Sequence, residues 1–457
     1  MARAATKDLT VGSPMKLVLG FALPLLFGFL FQQLYSFVDT AIVGKYLGAA
    51  KLAAVGSTGS INFLILGFCM GVCSGFSIPI AQAFGAKDET ELRRCVANAA
   101  YVGAALSVLM AVVTALACPT MLRWMDTPEE ILDDAVSYIQ LIFAAIPVTV
   151  LYNLSSGILR SLGDSKTPVI FLAIASLVNI VLDLMCILVL GMGVRGAALA
   201  TVISQLVSGV GCVAVMVKRF PVLRMTADDR RFRPQLVKRL VNMGVPMGLQ
   251  YSITAIGSVV VQTAVNGLGT VAVAAVTAGG KVSMFFCCVF DALATTMATF
   301  AGQNIGAGKV DRVHQGLKAA SIVGSVYSVA ALGVILAWGQ ALIGLFVDAN
   351  TEGDVIAMAH QFLSVNAALY VPLLFVNIVR FSIQGVGYTR LAMFAGVAEM
   401  VARTLVAVVL VPVFGFDAAC WANPVAWLFA DAFLIPCYFR VTRRLAQRLR
   451  PAGANAA

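Results

Sequence analysis

Apolar residues dominate this chain in long uninterrupted runs, and polar residues collect at the breaks between them. Twelve runs are long enough to be helices crossing a membrane: about 17–43, 52–80, 93–118, 131–157, 167–190, 196–217, 238–264, 272–300, 314–338, 355–379, 390–412 and 417–439. Gly, Pro and charge mark the breaks, as in Gly85-Ala86-Lys87-Asp88, Gly163-Asp164-Ser165-Lys166 and Gly306-Ala307-Gly308-Lys309. The pattern predicts an all-α polytopic membrane protein.

The pattern also repeats. Pro24 and Pro246 lie 222 residues apart in similar apolar contexts, and Gln82 precedes Gln303 by 221. Asn153 and Asn377, Gly163 and Gly387, and Gly191 and Gly415 are each 224 apart. An offset that drifts so little over six helices predicts two tandem six-helix bundles. Six is even, so both bundles run the same way through the membrane, related by a pseudo-two-fold along its normal with a cavity between them. The expected divisions are an N-terminal lobe over 1–217, a basic linker over 218–237, a C-terminal lobe over 238–440 and a tail over 441–457.

Composition agrees with a membrane chain. Hydrophobic residues make up 60%, charged residues 12%, and mean hydropathy is +0.92; a soluble domain carries about 25% charged residues. The net charge of +10 follows topology rather than nucleic-acid binding. The N-terminus, the even-to-odd loops and the C-terminus hold 26 Lys and Arg, against 4 in the opposite loops. The positive-inside rule then places both termini in the cytoplasm. Residues Met1 to Lys16 show no signal-peptide pattern. The ten cysteines form no C-x-x-C pair and read as buried free thiols. There is no phosphate-binding loop, no H-E-x-x-H and no catalytic Ser/His arrangement, so an ATPase or an intramembrane enzyme is not expected.

Within the apolar runs a few polar residues stand out. Asp39 lies well inside the first run, where a carboxylate costs about 2.5–3.5 kcal/mol. Gln32, Ser36 and Asp39 share one helical face. In the fifth run Ser176, Asn179 and Asp183 do the same, and in the sixth Thr201, Ser204 and Ser208 form a stripe. Two carboxylates in one desolvated site cannot both ionise easily, so such a pair can take up and release a proton. With amide and hydroxyl oxygens around them they could equally hold Na⁺. In the second half Asn179 aligns with Arg403, Asp183 with Ala407 and Asp39 with Val261, so an ion site would belong to the first half alone.

The second half has other candidates. Gln250, Thr254 and Ser258 make a stripe on helix 7, and Asp291 is an acid inside helix 8, with Lys281 or Arg380 as possible partners. Glu399 and Arg403 are spaced as a helical ion pair. Asn366, Tyr370 and Asn377 form a stripe on helix 10 that could face a cavity.

Five stretches, taken together and in this order, resemble the multidrug and toxic compound extrusion (MATE) family. They are Tyr35-Ser36-Phe37-Val38-Asp39-Thr40-Ala41-Ile42-Val43-Gly44, Ala81-Gln82-Ala83-Phe84-Gly85-Ala86, Gly157-Ile158-Leu159-Arg160-Ser161-Leu162-Gly163-Asp164, Asn179-Ile180-Val181-Leu182-Asp183 and Gly196-Ala197-Ala198-Leu199-Ala200-Thr201. The resemblance implies a monomeric exporter of organic, cationic or amphipathic small molecules in a bacterial cytoplasmic membrane. It implies no cofactor, a coupling ion of H⁺ or Na⁺, and a cation site at Asp39, Asn153, Asn179, Asp183 and Thr201. Gln32, Tyr35, Ser36, Gln250, Thr254, Asp291, Asn366, Tyr370 and Asn377 become candidates for the substrate cavity, and Pro24 for a hinge in helix 1. No acid occurs from Val241 to Gly267, which sets the chain nearer the DinF-like and MepA-like branch than NorM. The alternative within the same superfamily is a flippase for lipid-linked precursors.

Overall fold

A computed structural model describes residues 7–347 and 353–449. Among them the regular structure is helical throughout. Ten helices are long and apolar enough to cross a membrane: α1 (Pro14–Leu47), α2 (Ala50–Gly85), α3 (Glu89–Trp124), α5 (Lys166–Val189), α6 (Val194–Arg219), α7 (Pro234–Asn266), α8 (Thr270–Gly306), α9 (Val310–Ile343), α11 (Thr389–Phe414) and α12 (Phe416–Arg448). Two bent pairs complete the set of twelve. They are α4a (Glu129–Ala144) with α4b (Ile146–Ser161), bent by 47°, and α10a (Gly353–Ala368) with α10b (Tyr370–Gly385), bent by 53°.

The repeat is visible in the backbone. The two breaks fall at matching places, and α5 and α11 each pass through a π-helical turn, at Met185–Val189 and Val406–Leu410. Gly191 and Gly415 carry φ near +60°, and Gly163 and Gly387 carry +86° and +99°. These left-handed values favour glycine over other residues. At Gly163 a Cβ would also stand 2.0 Å from the Lys7 carbonyl oxygen, so no other residue fits.

The chain forms two compact units, and their boundaries differ from the expected ones. The first unit holds Lys7, Asp8 and Leu23–Ser252, and the second holds Leu9–Ala22 together with the described chain from Ile253 onward. Helices 1 and 7 therefore each belong to both units. Glycine explains this for helix 7. Gly71 and Gly75 of α2 meet Met247, Gly248 and Gly244 of α7 backbone to backbone, so close that a Cβ at Gly75 would lie 2.5 Å from the Gly244 Cα. Small residues at a four-residue interval let two membrane helices approach in this way.

In the second unit the segment Leu9–Gly12 is held by hydrogen bonds instead. The Leu9 N–H donates to Gln303 at 2.9 Å, and Lys309 donates to the Thr10 carbonyl at 3.0 Å. Arg312 donates to the Gly12 carbonyl, also at 3.0 Å.

The basic linker is not a free tether. Arg93 and Arg94 of α3 donate to Asp229 and Asp228 at 2.9 and 2.8 Å. Asn98 accepts from the Arg233 N–H at 2.9 Å, and Arg239 donates to Gln82 at 2.9 Å. Hydrogen bonds from Arg94 and from Thr226 hold the carboxyls of Asp228 and Asp229, respectively, below the usual carboxylate range. Of the expected tail, residues to 449 continue α12 as helix and the rest lies outside the described residues.

Candidate functional site

Asp39, Asn179, Asp183 and Thr201 meet inside the first unit. Asp183 and Asn179 come from the last regular turns of α5, just before its π-helical turn, and both are fully buried. Pi turns of this kind recur at functional sites. The Asn179 amide, in the orientation that satisfies both its atoms, donates to Asp183 Oδ2 at 2.8 Å and accepts from the Thr201 N–H at 3.2 Å. The half-buried Asp39 of α1 brings its carboxyl within hydrogen-bonding reach of Asp183. Two carboxyls at that range need a proton or a cation between them, since two bare charges repel and burial disfavours the charged form of each. Each also keeps one oxygen, Oδ1, buried without a hydrogen-bond partner.

Tyr35, one turn before Asp39, joins the group rather than standing apart as a cavity residue. Its hydroxyl lies 3.4 Å from Thr201 Oγ1. Tyr138 of α4a, 8% exposed, lies close enough to both carboxyls to feel their charge. Ala135 and Ile142 share the helical face of Tyr138, so by its spacing alone Tyr138 looks like core. Asn153 is not among the bonded residues. It donates to the Thr149 carbonyl on its own helix at 2.8 Å, and Thr149 in turn donates to Gln205 at 2.7 Å. Among the described residues no group of three His, Cys, Asp or Glu side chains comes together to hold a metal.

The cavity candidates separate on inspection. Gln32 and Ser36 are exposed on α1, and Pro24 lies inside the same unbroken helix. Gln250 is buried and Thr254 half-buried on α7. Asp291 is exposed on α8, and among the described residues it has no hydrogen-bond or ion-pair partner. Neither Lys281 nor Arg380 forms an ion pair with it, and Arg380 pairs with Glu399 instead.

The helix-10 stripe does not exist as one face, since the chain breaks at Leu369 between Asn366 and Tyr370. Asn366 is 2% exposed and donates to the Phe362 and Cys420 carbonyls, so it braces helices rather than lining a cavity. Tyr370 is fully buried, its hydroxyl 3.1 Å from Ser283 Oγ. Asn377 is half-buried and donates to the Leu373 carbonyl at 3.1 Å.

The Glu399–Arg403 ion pair forms, at 3.6 Å, and is larger than its spacing predicts. Arg380 of α10b reaches the other oxygen of Glu399, and Arg403 also donates to Asn423 of α12 at 3.2 Å. All three charged groups are buried.

The MatE family model matches residues 24–185 and 246–409, both halves of the repeat. This chain belongs to the MATE family. It is 30% identical over 366 residues to the probable multidrug resistance protein YoeA of Bacillus subtilis, with 78% of each chain covered. It is 29% identical over 376 residues to the probable multidrug resistance protein YpnP of the same organism, covering 81% of this chain and 82% of the relative. A crystal structure of MATE in complex with MaL6 superposes with a TM-score of 0.90, over 98% of this chain and all of the other, at 21% identity. At that identity the likeness is one of fold. The MATE family is a family of membrane transporters that export drugs and other compounds, and its members are not enzymes.

Proposed function

We propose that this MATE protein is an antiporter that couples inward movement of H⁺ or Na⁺ to export of organic cations or amphipathic molecules. The observation that carries the reading is the Asp39–Asp183 pair, with its two orphaned oxygens and its Asn179 and Thr201 neighbours, built in the first unit only. An entering cation neutralises the pair. That changes the charge held against α1, and Pro24, which lacks an N–H and lies close to where α1 passes from one unit to the other, is the proposed hinge. The exposed, unpartnered Asp291 supports a positively charged substrate. The confinement of both paired acids to the first unit, and the absence of an acid on α7, support the DinF-like and MepA-like branch.

By the distribution of Lys and Arg, both termini are cytoplasmic, in a bacterial cytoplasmic membrane. Asp39, Asn179, Asp183 and Thr201 all come from one chain, which supports a working monomer.

The test is efflux from proteoliposomes under an imposed proton gradient and, separately, a sodium gradient, across a panel of cationic dyes. One gradient drives efflux in the wild-type protein, and Asp39→Asn abolishes it while the protein still folds. Wild-type efflux rates in Asp39→Asn would sink the mechanism.

A further inference from the structure

The second unit contains an acid that neither the repeat nor the site above accounts for. Asp431 lies on α12, is 9% exposed, and keeps its Oδ1 buried without a hydrogen-bond partner. Among the described residues it forms no ion pair within 4 Å. Its charged neighbour is Arg380 of α10b, whose guanidinium is already engaged by Glu399. Glu399 leads in turn to Arg403 of α11, and Arg403 to Asn423, two turns before Asp431 on α12 itself. From α9 the titratable group is His314, which is tied to Tyr438 at 3.0 Å, two turns further along α12. From α10a it is His360, which is held at 3.2 Å from the Ile335 carbonyl.

Asp431, Arg380, Glu399 and Arg403 thus form a buried row of alternating charge that ends on an unsatisfied carboxylate oxygen. A carboxylate kept only as a counter-ion would be expected in contact with its cation, because a buried, unpaired charge is costly. An oxygen left open in such a place suits a group that is sometimes occupied. With Asp431 ionised the row is neutral; with a proton on it the row carries one positive charge. Taking up and losing that proton therefore changes the charge of the second unit.

We propose that Asp431 is a second proton-binding site, in the C-terminal half, which loads and unloads in the same transport cycle as the Asp39–Asp183 pair. This rests on the coupled-export reading above.

The experiment adds ethidium to the purified full-length protein in a weakly buffered detergent solution and reads proton release with an indicator dye. Asp431→Asn is expected to release about half as many protons as the wild type where the first-unit pair also carries H⁺, the share of one of two sites, and almost none where that pair carries Na⁺, and Asp431→Glu to restore the release. Wild-type release from Asp431→Asn would overturn the proposal. Asp39→Asn run alongside separates the two ideas: wild-type release from that variant would overturn proton binding at the pair in the first unit, while the Asp431 comparison still decides this one. A second measurement needs no variant. A lipid-soluble carbodiimide adds across a protonated carboxyl group to give an acylurea, with both atoms and the proton retained in the adduct. Mass mapping of the wild-type protein is expected to find that adduct at Asp431, fading as pH rises; an unmodified Asp431 at every pH would overturn the proposal.

Discussion

Gly75→Ala is the sharpest probe of how the first unit is held together. The new Cβ would stand 2.5 Å from the Gly244 Cα, 2.7 Å from the Met243 carbonyl oxygen and 2.8 Å from the Gly244 nitrogen. Carbon atoms rest about 3.5–4.0 Å apart, so α2 and the first half of α7 must separate by about 1 Å. Every obstructing atom is backbone, so no side chain can turn aside. The same displacement loosens the contact one turn away at Gly71, where Met247 and Gly248 lie within 2.8 Å of the Cβ position.

Overpacking of this kind costs about 1–3 kcal/mol. At about 2–4 °C per kcal/mol for a unit of this size, the midpoint should fall by about 2–12 °C. Eight of the ten free cysteines are buried, so a thiol-reactive dye reports unfolding of the detergent-solubilised protein directly. Gly333→Ala is the control. It lies in α9 with nothing within 4 Å of its Cβ position, and alanine there should stabilise the helix by about 0.5–1 kcal/mol. If Gly75→Ala melts at or above Gly333→Ala, the close approach of α2 and α7 is not what holds these helices.

Two further predictions concern charge. Glu399→Gln removes the carboxylate shared by Arg380 and Arg403, both 6% exposed, and should cost about 3–5 kcal/mol in the same thermal assay. Adding Arg380→Gln should then cost less than the sum of the two single changes; strict additivity would mean the row is not coupled. In the linker, Asp228 and Asp229 have carboxyls held below the ordinary range, so their stabilising effect is complete above that range and is lost as pH falls through their folded values. Hydrogen-exchange protection over residues 224–233 should therefore fall on acidification below about pH 4, and Asp229→Asn should reproduce the loss at neutral pH. Unchanged protection in both experiments would show that the Arg93 and Arg94 contacts do not hold the linker.

Much of this protein was legible in its sequence because a membrane leaves a chain few choices. Backbone polar groups must be satisfied within helices, so twelve long apolar runs already mean twelve spans. A repeat with a nearly constant offset already means two like halves. Asp39 and Asp183 stood out because an acid in an apolar run is costly, and helical spacing placed Asn179 beside Asp183. The same reasoning could have found Asp431, which lies inside the last apolar run. Helical spacing failed at Asn366 and Tyr370, because the 53° break at Leu369 ends the face they seemed to share. It was silent on Tyr138, whose apolar neighbours disguise it.

Tertiary structure alone decided which distant residues meet. Spacing along a helix says which way a side chain points, but not what stands opposite. That Tyr35 reaches Thr201, that Asn153 bonds within its own helix, and that Arg380 chooses Glu399 over Asp291 all depend on contacts between helices far apart in sequence. So does the sharing of helices 1 and 7 between the two units. For helix 7 it depends on glycines whose missing side chains matter only once another backbone lies against them.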